Sequence, residues 1–215
     1  MKNKKVNCSW CFYLLFIVVF LNSCSQEDLS IGMGVFHFSP DQSSSIKVYE
    51  STELKSSLYD VRAQFSDGQG RLYLSSRARD LMDFRPLRYG QLRGFMTLRV
   101  IKINGNKLKV IVNEDTLEEG WIYGTEKDVE GWEDFLYSVH HLISLDNRIY
   151  KSPSGSSKST SVSSNDCLNL MDIQGDWIKV RHDLSKCNDP RVNSSGPAGF
   201  IRWKKAGKVL INFRM

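Results

Sequence analysis

The feature that most narrows what this chain can fold into is an internal repeat. "KINGNKLKVIVN", Lys102 to Asn113, aligns without a gap on "DIQGDWIKVRHD", Asp172 to Asp183: Ile103 falls on Ile173, Gly105 on Gly175, Lys109 on Lys179 and Val110 on Val180. Two flanking matches keep the same order. "IKVYESTELKSS" is matched by "NRIYKSPSGSS", pairing Tyr49 with Tyr150 and Ser51 with Ser152. "EEGWIYG" is matched by "PAGFIRW", pairing Gly120-Trp121-Ile122 with Gly199-Phe200-Ile201. Each copy therefore reads as a tyrosine strand, a variable loop, an apolar strand, a glycine-centred turn, an alternating strand and a Gly-aromatic-Ile strand. Any fold has to accommodate this order twice.

Local pattern and punctuation predict an all-β chain. Short Val-, Ile- and Tyr-rich runs alternate with Gly, Pro and Asn/Asp. In "DWIKVRHD", Ile178 and Val180 share one face of a strand, while Trp177, Lys179 and Arg181 share the other. The glycine ahead of each such strand supplies the positive φ of a tight hairpin. Spacing separates the copies: Ser51 to Leu98 is 47 residues, but Ser152 to Leu168 is 16. Val110 to Gly120 is 10, whereas Val180 to Gly199 is 19. The first copy thus carries a long insertion in its first loop, and the second a shorter one in a later loop, where a scaffold tolerates them and function accumulates.

The hairpin Gly175-x-Trp177-x-Lys179-Val180, closed by Gly199-Phe200-Ile201 after an opening tyrosine strand, resembles the bacterial SH3-like (SH3b) domain. The first copy supplies Gly105, Lys109, Val110 and Gly120-Trp121-Ile122, with Lys107 where the hairpin tryptophan is expected. The resemblance covers about residues 45–124 and 146–214. It implies two small, partly open β-barrels of the kind used as binding or spacer modules in the cell envelope, with no catalytic residues and no cofactor.

The N-terminus gives an address. "MKNKK" is followed by the apolar run Trp10 to Leu21 and the small residue Ser23, the pattern of a secretory signal over 1–23. The twelve-residue run is shorter than the roughly 20 residues needed to span a bilayer. Leu21-Asn22-Ser23-Cys24 resembles the bacterial lipobox, which predicts acylation at Cys24 and a membrane anchor; the alternative is an ordinary signal with a chance cysteine. Ser25 is not the aspartate of inner-membrane retention, and Glu27-Asp28 resembles a surface-export signal, so the expected location is the outer membrane, periplasmic or surface-exposed. The signal also accounts for most of the basicity. Of 29 basic and 24 acidic residues, Lys2, Lys4 and Lys5 leave with it, giving 26 against 24. A near-neutral chain has no electrostatic case for nucleic acid.

Of five cysteines, Cys8 and Cys11 lie in the signal and Cys24 in the lipobox, which leaves Cys167 and Cys187. In an oxidising compartment these read as a disulfide or as two free thiols. Asp166-Cys167 also invites comparison with cell-wall cysteine peptidases. A thiolate nucleophile needs a positioned base, however, and the repeat already accounts for His182, so the expected catalytic set is none. His140-His141 point about 100° apart on a helix and do not chelate together, so no metal is expected either.

Between the copies, Trp132, Phe135, Leu136, Val139 and Ile143 recur at helical spacing, which predicts an amphipathic helix of about three turns in a linker over 125–145. Residues 24–44 read as a polar tether interrupted by "VFHF". Barrel 1 is expected over 45–124 and barrel 2 over 146–215.

Candidate binding residues come from two places. The insertion carries Arg77, Arg79, Arg85 and Arg88 with Tyr89 interleaved, a composition suited to carboxylate or phosphate, or else a solvated hairpin extension. Trp177 and Trp203 are platform candidates, or half-buried barrel packing. The function expected is a lipid-anchored envelope module that binds a peptide, glycan or protein partner. The alternatives are a structural spacer of an envelope complex and, remotely, a hydrolase using Cys167. Replacing Cys24 with Ala is expected to move the protein from the membrane to the soluble fraction; retention of the variant on membranes would refute acylation at this position.

Overall fold

The computed structural model describes residues 31–39, 45–66, 69–75, 81–90, 94–139, 141–146, 148–162, 168–183 and 195–214. Cys24, Arg77, Arg79, Cys167 and Cys187 lie outside the described residues. The chain is mainly β, as its alternation predicts, and a half-barrel sheet is formed.

The first half contributes β1 (Gly34–Phe38), β2 (Ser45–Tyr49), β3 (Ser57–Ser66), β4 (Gln69–Ser75), β5 (Arg88–Gly90), β6 (Phe95–Asn104), β7 (Lys107–Asn113), β8 (Glu118–Tyr123) and β9 (Val129–Gly131). They form one sheet of order β4-β3-β2-β8-β7-β6-β1-β9, with β5 added on β6. Helix α1 (Trp132–Ser138) then leads into the second half. There β10 (His141–Ser144), β11 (Arg148–Tyr150), β12 (Ser159–Ser161), β13 (Leu168–Gln174), β14 (Trp177–Asp183) and β15 (Ser195–Arg202) are followed by β16 (Lys204–Lys205), β17 (Lys208–Val209) and β18 (Ile211–Arg214). The second sheet runs β12-β11-β15-β14-β13-β10-β18, and β16–β17 form a separate ribbon.

The sequence repeat is a repeat of registers. In the β6–β7 hairpin Val100 pairs with Val110, Ile103 with Leu108 and Asn104 with Lys107, and a bulge falls between Val100 and Lys102. In β13–β14 Leu170 pairs with Val180, Ile173 with Ile178 and Gln174 with Trp177, with a bulge between Leu170 and Asp172. The third strand repeats too: Lys109↔Trp121 and Val110↔Gly120 in one half, Lys179↔Phe200 and Val180↔Gly199 in the other. Tyr49 opposes Trp121, and Tyr150 opposes Phe200. Gly105 and Gly175 both take the left-handed turn, with φ of 61° and 59°. Gly120 and Gly199 are held for another reason: a methyl group there would overlap Val48 Cγ1 or Ile149 Cγ2, the aliphatic side chains of the crossing first strand.

Alternation then fills two cores. Val48, Val61, Leu98, Val100, Leu108, Val110 and Ile122 are fully buried in the first. Phe135, Leu136, Leu142, Ile178, Val180 and Ile201 are fully buried in the second. β1 serves both. Its Val35, with Ile31 just ahead, belongs to the second core, whereas Phe38 is buried in the first and Phe36 packs against it. The strand is sandwiched between β6 and β9, pairing Phe36 with Leu98 and with Val129.

Two expectations are corrected here. Residues 34–38, read as part of the tether, form this shared strand, because "VFHF" alternates and both of its backbone edges find partners. The helix is seven residues long and not three turns. It ends where Val139 turns extended (φ −83°, ψ 116°), with its N–H bonded to Phe135 O and the Ser138 hydroxyl donating to the same carbonyl at 2.8 Å. Beyond it Leu142 and Ile143 gain more as strand: β10 pairs with β18 and β13, and Leu142 is fully buried. Phe135 and Leu136 do pack as a helical face should, into the second core.

One buried ion holds the halves together. Arg99, on β6, is 1% exposed; its Nη1 donates to Gly207 O, in the β16–β17 turn, at 2.6 Å. Its Nε donates to Glu114 Oε1 at 3.1 Å, and Nη2 lies 2.8 Å from Oε2 as an ion pair. Burial raises the Glu114 carboxyl above its ordinary range, and the Arg99 charge pulls it back. Trp132 supplements this contact, donating to Gly32 O at 3.2 Å and packing on Trp203 with ring centroids 5.5 Å apart.

Replacing Arg99 with Met is expected to cost about 3–5 kcal/mol at neutral pH, since it strands Glu114 in a poorly solvated site. A neutral Glu114 no longer needs the cation. Its folded value is raised, so the deficit should shrink as pH falls through that value, and denaturant melts at neutral and acid pH will show whether it does.

Candidate ligand-binding groove

β1 and β2 are not neighbours in the sheet, yet curling brings them to opposite sides of one groove of about 430 Å³. Phe36, His37 and Phe38 form one wall; Ile46, Lys47 and Tyr49 form the other. Tyr123, at the end of β8, and Asp128 close one end. The floor is aromatic and the rim carries one cation and one carboxylate. A concave site that mixes aromatic rings with polar groups in nearly equal measure can take an extended ligand.

The polar groups are held in place. Tyr49 and Tyr123 meet edge to face with centroids 6.2 Å apart, and Tyr123 remains 58% exposed. Burial, and then the nearby Tyr123 and Asp60, raise the Tyr49 phenol above its ordinary value. Asp128 accepts the backbone N–H and the hydroxyl of Thr125 at 2.7 and 2.9 Å, which fixes its carboxylate. His37 lies 2.6 Å from Glu130 Oε2 through Nε2 and 3.1 Å from Thr97 Oγ1 through Nδ1. A carboxylate only accepts, so Nε2 carries a proton, and Nδ1 faces the Thr97 hydroxyl, which can serve as donor or acceptor. The chain Thr97–His37–Glu130 copies the connectivity of a nucleophile, base and orienting acid. Thr97 is 1% exposed, however, so its hydroxyl faces no substrate, and the trio ties β1 to β6 and β9.

The second half carries the corresponding cluster in altered form. Tyr150 meets Trp177 edge to face at 5.4 Å, and the Arg202 guanidinium lies 5.6 Å from the Trp177 ring. Arg202 also pairs with Asp176 at 3.3 Å. Lys107 opposes Tyr123 in the first sheet, and Trp177 opposes Arg202 in the second. The tryptophan missing from the first hairpin is thus compensated: ring and cation have exchanged strands across the same pair. Lys107 itself donates to Thr52 O at 2.7 Å, beside the turn that follows Tyr49.

The other sequence candidates scatter. Arg85 spans outward to Met82 O at 3.3 Å and to Asp115 at 3.1 Å, and its backbone bridges to Asn113. Arg88 turns inward over Phe95, 5.3 Å from the ring centroid, and burial lowers its pKa. Tyr89 packs edge to face on Phe84 at 6.0 Å. The described arginines of the insertion therefore do not converge. Trp203 is 3% exposed and donates to Gly175 O at 2.8 Å as part of the second core. Only Trp177 of the named aromatics sits on an outward sheet face. Among the described residues no three metal-ligating side chains gather.

The groove was missed because Tyr49 looked like scaffold and Tyr123 like a strand end. The signal was present: Trp121 and Tyr123 flank Ile122, so a buried Ile122 turns both aromatics outward. No family model, no curated protein and no solved structure matches this chain. Replacing Tyr123 with Phe is expected to lower the pH at which Tyr49 ionises, since it removes one of the groups that raise its pKa. Side-chain carbon NMR titration of Tyr49 would show no displacement if the two rings do not interact.

Proposed function

We propose that this chain is a lipid-anchored binding module of the cell envelope, built from two SH3-like barrels, exported by residues 1–23 and acylated at Cys24. The repeated registers support the barrel reading, because the tyrosine strand, glycine hairpin and Gly-aromatic-Ile strand occur in the same order with the same bulges. The observation that carries the binding reading is the groove between β1 and β2. Its exposed Tyr123, which packs edge to face on Tyr49, and its Lys47 lie outside the core and line a concave site rich in aromatic rings. The partner is an envelope peptide, glycan or protein, and no cofactor takes part. A spacer would use the same barrels without occupying the groove.

Capture from solubilised native envelope separates the two. The full-length protein is expected to retain partners that a Lys47→Ala/Tyr123→Ala variant loses, with affinity falling about tenfold or more for removal of one cation and one exposed ring. Both side chains lie outside the core, so thermal stability should be unchanged. Identical capture by wild type and variant would favour the spacer.

A further inference from the structure

The outward faces of the two sheets carry matching rows of rings and cations. In the first, Tyr49, Trp121 and Lys109 lie side by side across β2, β8 and β7, and Lys102 follows on β6. In the second, Tyr150, Phe200 and Lys179 occupy the same registers. One residue pair away along the strands, Lys107 beside Tyr123 is matched by Trp177 beside Arg202. Cross-strand neighbours of this kind stand about 4.5–5.5 Å apart, so each row is a continuous surface.

Core packing explains the residues between them and not the rows. Leu108, Val110 and Ile122, like Ile178, Val180 and Ile201, are fully buried and are repeated because each barrel needs them. Most of the outward positions have no such duty, although Tyr150 is buried at 9% exposure and its hydroxyl donates to Asp146 Oδ2 at 3.0 Å. They nevertheless hold an aromatic at 121 and 200, a tyrosine at 49 and 150, and a lysine at 109 and 179. Where the copies differ most, at Lys107/Trp177 and Tyr123/Arg202, the pair still contains one ring and one cation. Two unlike solutions to one composition point to a shared ligand chemistry.

That chemistry can be narrowed. β7 and β14 are paired along both edges, and β8 and β15 along one edge with a single further pair each, Tyr49↔Trp121 and Tyr150↔Phe200, so little of this backbone is open to a peptide adding as a further strand. Recognition is left to ring faces and charged tips. Cations exceed carboxylates on each face: Lys102, Lys107 and Lys109 against Glu119, and Lys179, Arg181 and Arg202 against Asp172 and Asp176. The carboxylates are engaged within the protein. Glu119 pairs with Lys109, Asp172 accepts from Ile173 N and Gln174, and Asp176 pairs with Arg202; the same pairs occupy Lys109 and Arg202, so the surplus charge is that of Lys102 and Lys107 on the first face and of Lys179 and Arg181 on the second. A ring face beside a cation suits a pyranose that bears a carboxylate.

We propose that each barrel presents an equivalent face for an acidic polysaccharide, so that one chain engages two stretches of the same polymer. This rests on the binding-module reading above and names its ligand class. Two sites on one chain convert the second contact into an intramolecular event, which multiplies affinity for a polymer and not for a single repeat.

Detergent-solubilised full-length protein is to be titrated with alginate as a polyuronate, with its diuronate unit, with dextran and with poly-L-glutamate. Alginate is expected to bind and to weaken with salt, whereas dextran and polyglutamate bind at least tenfold more weakly. A first-face variant, Lys102→Gln/Tyr123→Ala, or a second-face variant, Trp177→Ala/Lys179→Gln, should each weaken alginate binding about a hundredfold. Each should lower the diuronate stoichiometry from two to one, and the combined variant should not bind. Lys179→Gln/Arg181→Gln, which alters no ring packing, guards against a Trp177 variant that misfolds; it should follow the second-face variant. Equal binding of dextran or polyglutamate, a stoichiometry of one in the wild type, or absence of alginate binding would overturn the inference. If alginate fails while capture of envelope protein persists, the binding-module reading stands and the ligand class falls.

Discussion

β1 is the strand on which both halves depend. Five residues alternate between two environments: Phe36 and Phe38 serve the first core, while Val35 faces the second and His37 stacks on Phe135 at 5.5 Å. A strand can do this only when both of its edges are satisfied, and here β6 and β9 pair with it on either side. Removing it would open an edge on β6, strip an aromatic wall from the first core and uncover the helix that seals the second. The groove also depends on β1, since one of its walls is Phe36 to Phe38.

Arg99 performs the polar counterpart of that task. A guanidinium at 1% exposure is tolerable only when its charge is compensated, and it reaches a carboxylate in its own half and a carbonyl in the other. Hydrophobic contact alone would let the two halves slide over one another, because apolar burial has no direction. The fork of Arg99, aimed at Gly207 O, sets one position. Trp132 acts likewise, with its ring on Trp203 and its N–H on Gly32 O.

The outward faces follow from the same alternation that builds the cores. Once Leu108, Val110 and Ile122 are committed inward, Lys107, Lys109, Trp121 and Tyr123 have no choice but to face out. Ring and cation can then exchange places across a strand pair without disturbing the core, as Lys107–Tyr123 and Trp177–Arg202 do. The insertion in the first copy was the most conspicuous segment by composition, yet Arg85 and Arg88 are occupied by Asp115 and by aromatic rings. A run of arginines in the chain says little about where their tips meet.

How much was legible follows from range. The repeat, the glycine turns and the inward set Ile178 and Val180 rest on local pattern, so the linear order determined them. β1 was misread because a five-residue strand between polar segments becomes a strand only when β6 and β9, far away in sequence, offer it hydrogen bonds. The helix was over-extended for the same reason: Leu142 and Ile143 fit a helical period, but the partners waiting at β18 and β13 decided otherwise. Tyr49 and Tyr123 were visible as residues and invisible as a site, because a groove exists only once a curled sheet carries β2 round to face β1. Local periodicity set the elements; long-range pairing and burial set which face each side chain serves.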